Sequence, residues 1–575
     1  MTVRIALIQG GPSALRLPEG AIELAAIGPA RLFGDRSTSF CATGPAVLIG
    51  KAFYREGLAA CETLVPADVE RIVATGGEWA IKNLWGNFLI FWTDGRSEVL
   101  VLRSPVTGPA LFQTVGAPMS GADGAIGTAH CAFTDLALAR ALGFALDRPN
   151  PQAIDSQLRY PLLRGPRAEI EDVREILPGE IAHLGRVGRQ AGSWLPWDHA
   201  LSPPRRIDPG ELGEMVRGVT RAWSGRFRTI QLELSGGIDS SIVAACLAGR
   251  SAPWRGVTMV TAEPDGDERV YANAVAERAG VPLSEILLAA EPADPLLAPA
   301  RLRVRPGGFG LLAASDAAFE ASARDYGADA IFSGTGGDGI FGYQISAAPA
   351  LDALRYAGPR AAVLAARDLA RITGDTIWNA LGFAVRGYVR GFQLWPVDDR
   401  LLSQRFAGDR PWHPWLVDAK RIAPGQRRYG LGLLTLQTFL DGYDRSFAFP
   451  KIAPLLSQPL VEFGLGVQSW QWGEGGVNRA LARRAFRDDL PDIVLARRGK
   501  GRILSLFLPA FEANRKGLSN HLLDGWMAAA GILDLDAINA LLTGRRAAAS
   551  LDMLRVLQLA DIESWARSVV GGRTG

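Results

Sequence analysis

The sequence predicts an α/β protein in two parts, a strand-rich N-terminal region of packed sheets followed by an open, doubly wound parallel sheet. Three observations predict it. Residues 1 to about 200 run as short apolar stretches broken by glycine and proline, among them "RIALIQ", "AVLIG", "NFLIFWTD", "EVLVLRS" and "EIAHLG". Beyond them strand-like and helix-like patterns alternate, as expected of parallel strands covered by helices. Between the two textures "HALSPPRRIDPGEL", with adjacent prolines, mixed charge and a Pro-Gly step, reads as a linker near residues 199–211. The expected units are residues 1–200 and 208–575.

In the first unit "TDLALARALGFAL" has the period of a helix among strands. In the second, "PGELGEMVRGVTRAWSG" is helical in period, "TIQLEL" is a buried strand and "SSIVAACLAG" a helix. "RGVTMVTA" is the next strand, "DERVYANAVAERAG" a helix with a glycine stop, and "DAIFSG" a further strand. No internal repeat or low-complexity tract interrupts this order.

Composition bounds the function. A chain of 575 residues, 48% hydrophobic and 21% charged, is long enough for two or more cores. Its 62 basic and 59 acidic residues leave a net charge of only +3, so neither nucleic acid nor a membrane surface is the expected substrate. Cys41, Cys61, Cys131 and Cys246 show no paired spacing, which argues for a reducing compartment and against a disulfide framework or thiolate zinc site. His130, His183, His199, His413 and His521 are equally dispersed, so a metal would have to use oxygen ligands. Gln9 and two glycines cut the first apolar run short of a signal peptide, and no apolar run reaches the ~18 residues of a membrane helix. A cytoplasmic protein without a membrane span is expected.

"LELSGGIDSS", residues 232–241, sits where a predicted strand gives way to a helix. Ligands of open parallel sheets bind at such strand ends. Ser235, Gly236 and Gly237 let backbone N–H groups approach a guest, and the helix start adds positive partial charge, which suits phosphate. Asp239 would repel that phosphate unless a hard cation stood between them, and Mg2+ with its oxygen ligands fits. Taken alone, the motif reads equally as a tight turn with Asp239 stabilising the helix. "IFSGTGGDGIFGY", residues 331–343, repeats the logic with Ser333, glycines and Asp338 on a later strand, so two strand ends would flank one magnesium-bound pyrophosphate. Neither turn ends in the Gly-Lys-Ser/Thr of a Walker loop.

"LSGGIDSS" resembles the pyrophosphate loop of the N-type ATP pyrophosphatases. "SGTGGDGIFGY", "DRSFAFPKIAPLLSQPLVEFGLGV" and "LARRAFRDDLPDIVLARRGKG" resemble blocks of the asparagine synthetase superfamily in order along the chain. "AVLIGKAFYREG", "WGNFLIFWTD", "VLVLRSPVTGPALFQ" and "REILPGE" look like its amidotransferase-like N-terminal domain. "PLLSQPLVEFGL" and "RALARRAFRDDLPDIVLARRGKG" are most similar to the lasso peptide cyclases, which close the macrolactam ring of a ribosomal peptide. The resemblance implies an amidotransferase-like (Ntn-type) α+β sandwich followed by an ATP pyrophosphatase domain. It implies ATP as cosubstrate and Mg2+ on Asp239 and Asp338. Ser235, Gly236, Gly237, Asp239 and Ser240 match the pyrophosphate loop, and Leu234, Met259, Ser333 and Gly334 occupy positions that line the nucleotide in relatives. Lys500, in "RRGKG", matches a lysine that contacts pyrophosphate, and with Asp239 and Asp338 completes the expected catalytic set. Without the resemblance, Arg497, Arg498 and Lys500 read as a solvated basic turn.

Two departures shape the expectation. Glutamine-hydrolysing relatives carry cysteine after the initiator methionine, whereas Thr2 stands here and implies loss of glutaminase activity. Thr335 replaces the carboxylate of asparagine synthetases and the tyrosine of β-lactam synthetases, which leaves the base for the attacking amine unassigned. Trp378, Trp395, Trp412 and Trp415 interleave with arginines and suit either a peptide grip or core packing. "RVRPGGFGLL", residues 303–312, suits either a flap over the nucleotide or a surface loop.

The expected activity is a lasso peptide macrolactam synthetase, which adenylates an Asp or Glu side chain of a precursor peptide and joins it to the peptide's own N-terminal amine. A leader peptidase and a leader-recognition protein are the partners the resemblance implies. The alternatives are an asparagine synthetase-like or β-lactam synthetase-like ligase of small molecules and, from another class, a nucleotide-binding scaffold without catalysis.

Overall fold

The structure is a computed structural model, and it describes residues 3–12, 15, 17–95, 98–121, 126–186, 188, 192–200, 202–261, 267–288, 302–307, 313–442, 448–499, 504–545 and 549–571. Thr2 and Lys500 lie outside the described residues.

Among the described residues twelve strands precede residue 184. They are β1 (Ile5–Gly10), β2 (Ala21–Ile27), β3 (Ala30–Asp35), β4 (Phe40–Thr43), β5 (Ala46–Tyr54) and β6 (Ala60–Cys61). β7 (Leu84–Thr93), β8 (Val99–Arg103), β9 (Leu111–Ser120), β10 (Ile126–Phe133), β11 (Arg174–Ile176) and β12 (Ile181–His183) follow. They form two antiparallel sheets, ordered β11-β9-β10-β1-β3-β2 and β12-β8-β7-β5-β4, with β6 beside β5.

Side chains alternate across a strand, and here both sides are apolar. Ile5 and Leu7 of β1 meet Val47, Ile49, Leu89, Phe91 and Val101 between the sheets. Ala6 and Ile8 of the same strand face a second core that includes Val556, Leu557 and Ile562 near the C-terminus. Leu48, Phe88, Ile90 and Leu102 of the other sheet face a third core, shared with Trp223 and Ile230 beyond the linker. Burial on both faces explains why these strands read as near-continuous apolar runs. The predicted helix "TDLALARALGFAL" is shorter than its period suggests. Asp135 caps it, but it ends at Ala141, two residues before Gly143, whose φ is +107°.

The linker stretch ends where Asp208 and Glu211 form a capping box for the helix Pro209–Ser224. The parallel sheet then takes β13 (Ile230–Glu233), β14 (Trp254–Thr261), β15 (Leu283–Leu288), β16 (Ala330–Ser333) and β17 (Lys451–Ile452) in the order β15-β14-β13-β16-β17. The chain builds outward from β13 to β15, then crosses back and adds β16 on β13's other side. The order reverses between β13 and β16, the kind of switch point at which open parallel sheets bind ligands. Both glycine motifs lie there. Among the described residues no helix is long and apolar enough to cross a membrane.

Candidate active site

β13 delivers the first loop. Leu234 is buried, and its N–H donates to Val257 O of β14 at 2.8 Å, so the ladder runs one residue past the strand. Gly236 then takes φ +64°, and a β-carbon there would overlap Tyr271. Only glycine makes that turn without strain. Gly237 opens the helix Ile238–Leu247 with no side-chain cap, which leaves the first N–H groups of that helix for a guest. Ser235 and Ser240 face each other across the turn with their hydroxyls 3.3 Å apart. Met259, on β14 two residues beyond Val257, is half-buried.

β16 delivers the second loop against the first. A β-carbon at Gly334 would stand 2.5 Å from Ser240 N, and one at Gly337 would overlap the Asp239 carboxyl carbon. The glycines of the second loop therefore let the two backbones touch. Ser333 Oγ donates to Thr335 Oγ1 at 2.8 Å, which ties Thr335 into the turn.

The two carboxylates predicted from separate strand tips converge on one cation, which sequence reasoning missed. Arg479 Nη1 donates to Asp239 Oδ2 at 2.9 Å and Oδ1 at 3.1 Å, and to Asp338 Oδ1 at 2.8 Å. Arg479 is buried and sits in the left-handed region at φ 59°, ψ 36°, a conformation that costs a non-glycine residue on the order of 1–3 kcal/mol. Its Nε is buried with no hydrogen-bond partner among the described residues, and its Cζ lies 5.4 Å from the Tyr343 ring centroid. A strained, incompletely satisfied arginine between two aspartates makes Arg479 a candidate site residue.

Of the basic turn, Arg498 is exposed as a plain reading of its charges suggests, but Arg497 is not. Arg497 packs its guanidinium 4.2 Å from the Tyr271 ring centroid, pairs with Glu268 and reaches Ser235 O at 3.5 Å. Arg483 braces the same segment from inside, donating to Asn478 O at 3.0 Å, Leu495 O at 2.6 Å and Arg497 O at 2.9 Å. Burial and then the neighbouring Arg479 hold its pKa below the ordinary arginine value, with Asp239 opposing. The segment that leads to Lys500 is thus fixed against the first loop.

A cavity of about 550 Å³ opens beside Asp338. Its volume falls in the ~300–1,000 Å³ range of pockets that enclose drug-sized ligands. Of the four tryptophans weighed above, only Trp395 lines it, with its Nε1 donating to Pro161 O at 3.0 Å. Trp415 is core at 3% exposure, whereas Trp378 at 78% and Trp412 at 56% stand on the surface. The flap reading of residues 303–312 fails where the structure describes it. Arg305 is buried, bonded to Glu175 at 2.6 Å and Glu169 at 2.7 Å, and Trp565 Nε1 holds Arg303 O at 3.0 Å. Residues 308–312 lie outside the described residues.

Among the described residues no group of three or more His, Cys, Asp or Glu side chains could hold a metal unaided. Two carboxylates suffice for Mg2+ when phosphate oxygens and waters complete the octahedron, so Asp239 and Asp338 fit that ion. The family model described as asparagine synthase matches residues 226–567, more than half of the chain. No curated protein matches.

Proposed function

The chain belongs to the asparagine synthase family and is an ATP-dependent carbon–nitrogen ligase of the asparagine synthetase type, and on that premise we propose that its substrate is a ribosomal precursor peptide, closed into a lasso-type macrolactam. The observation that carries this reading is the aromatic cavity of about 550 Å³ at Asp338, far roomier than an aspartate substrate needs. It adjoins the carboxylate proposed to hold the nucleotide's metal. As a proposal, residues 1–200 form the degenerate amidotransferase-like unit and residues 208–575 the adenylating unit.

In the proposed reaction an Asp or Glu side-chain oxygen of the peptide attacks the α-phosphorus of ATP, and the bond to the β-phosphate oxygen breaks. The peptide's N-terminal amine then forms the C–N bond, loses its proton, and displaces AMP. Ser235, Gly236, Gly237 and Ser240 hold the pyrophosphate through backbone N–H and hydroxyl donors. Leu234, Met259, Ser333 and Gly334 border the nucleotide. Asp239 and Asp338 would hold Mg2+, which neutralises phosphate charge when bound. Arg479, already between those carboxylates, can turn its donors to phosphate oxygens, and Lys500 supplies further positive charge to the leaving pyrophosphate. The rest of the work is positioning, which brings amine and adenylate together.

Incubating the purified chain with a precursor peptide, ATP and Mg2+ tests the reading by mass spectrometry. A product lighter by one water, formed with AMP, supports it. Pyrophosphate exchange driven by aspartate or a small β-amino acid but not by peptide assigns a small-molecule ligase instead. No AMP with any acceptor leaves a nucleotide-binding scaffold. A leader peptidase and a leader-recognition protein are the partners this reading calls for.

A further inference from the structure

The cavity beside Asp338 contains chemistry that amide-bond formation does not use. Tyr343, Phe392, Trp395 and Trp472 give it aromatic walls, and the helix Pro424–Thr435 places Arg427 and Arg428 in the same lining. Asp338 is the one carboxylate among the described lining residues, and Arg479 already holds it. Asp352, whose charge also acts on Arg427, is bonded to Gly425 N and Gln426 N at 2.9 Å each and to Ser469 Oγ at 2.7 Å. Neither the Arg427 nor the Arg428 side chain makes a hydrogen bond or ion pair with any described residue.

Their placement adds to this. Both arginines follow closely on the N-terminus of their helix, where the aligned peptide dipoles are already positive, and the first turn has no acidic residue. Desolvation lowers the pKa of both guanidinium groups, and at the half-buried Arg427 holding the charge without an anion is costly. Two guanidinium groups without a hydrogen-bonded or ion-paired partner among the described residues, set in an aromatic chamber, match a carboxylate on an apolar body.

We infer that this chamber recognises a second carboxylate of the substrate, distinct from the one activated, through Arg427 and Arg428, while the aromatic walls enclose the residues that present it. Calling the ligand a substrate rests on the ligase reading above; the binding itself does not. It makes the two arginines specificity determinants and excludes them from the adenylation chemistry.

Isothermal titration without nucleotide, using Gly-Trp-Glu amide and its neutral isostere Gly-Trp-Gln amide as probes, tests the inference. The wild-type chain is expected to favour the acidic probe by about tenfold or more. Arg427→Gln/Arg428→Gln should abolish the preference while Mg-ATP binding and thermal stability stay as in wild type, and the double lysine variant should keep part of it. If the double variant does not fold, the exposed Arg428→Gln alone serves, with a reduced preference expected. No preference in wild type, or a preference unchanged in the glutamine variants, overturns the inference. A wild-type chain that prefers the acidic probe yet binds no Mg-ATP sinks the ligase reading and leaves this one standing.

Discussion

Gly337 lies against Asp239 so closely that a β-carbon at 337 would overlap the carboxyl carbon. The second loop therefore sets the position of the first loop's carboxylate. Gly337→Ala should displace Asp239 and lower AMP formation by about 100-fold, the cost typical of an ångström-scale misplacement. Gly249, where a β-carbon meets nothing within 4 Å, is the control, and Gly249→Ala should leave the rate unchanged. A steady-state AMP assay with thermal melts reads both.

Arg479 pairs with two aspartates at once. Arg479→Met leaves them facing each other, with an expected loss of about 1–3 kcal/mol rather than the ~3–5 kcal/mol of a fully buried pair, because the Asp338 side chain is 46% exposed. Mg2+ should restore much of that loss in the variant, since an ion bound only by the folded state stabilises it. Calorimetric melts with and without Mg2+ measure it, and a variant whose melting ignores the ion would remove the ion from those carboxylates.

The tryptophans separate by burial. Trp415→Ala should cost about 3–5 kcal/mol in urea unfolding, because its ring is 3% exposed and packs 5.6 Å from Trp194. Trp378→Ala, at 78% exposure, should change stability by no more than about 0.5 kcal/mol.

Glu175 is bonded to Arg103 of its own unit and links the halves of the chain through Arg305, at 2.6 Å each. Burial pushes its carboxyl up, but Arg305, Arg164 and Arg103 outweigh it and hold the pKa at about 2, against an ordinary 4.5. The folded state binds this proton later than the unfolded chain does. Its stabilisation is therefore complete above the ordinary value and drains away as pH falls from about 4.5 towards 2. Glu175→Gln should be less stable than wild type at neutral pH, and the gap should narrow through that window. Urea midpoints across the acid range provide the measurement.

Much of the site could be read from residues 232–241 and 331–343, because a glycine turn between an apolar strand and a helix is a local signal with a local cause. Asp239 and Asp338 stood out for the same reason. Arg479 did not, since nothing in "VNRALARRAFR" separates it from Arg483, Arg484 or Arg487. Its role comes from the left-handed backbone and from where the chain passes, and neither is written in composition. Arg305 was hidden likewise. A flanking Pro-Gly-Gly reads as a loose loop, whereas Glu169 and Glu175, which hold it, lie more than a hundred positions earlier. The parallel sheet was legible as alternating elements, but its order, with β16 returning beside β13, depends on long-range pairing.

The ties between the N-terminal region and the last helix bear on how the chain is made. Arg140 holds Val569 O at 2.8 Å, Arg555 holds Leu158 O at 3.0 Å, and Ile8, Phe133 and Phe144 share a core with Val556 and Ile562. During synthesis that apolar sheet face emerges first, and its cover is incomplete until the helix Ser550–Gly571 leaves the ribosome. Chaperone occupancy on the nascent chain should persist until then, and expressing the N-terminal half alone should give insoluble protein.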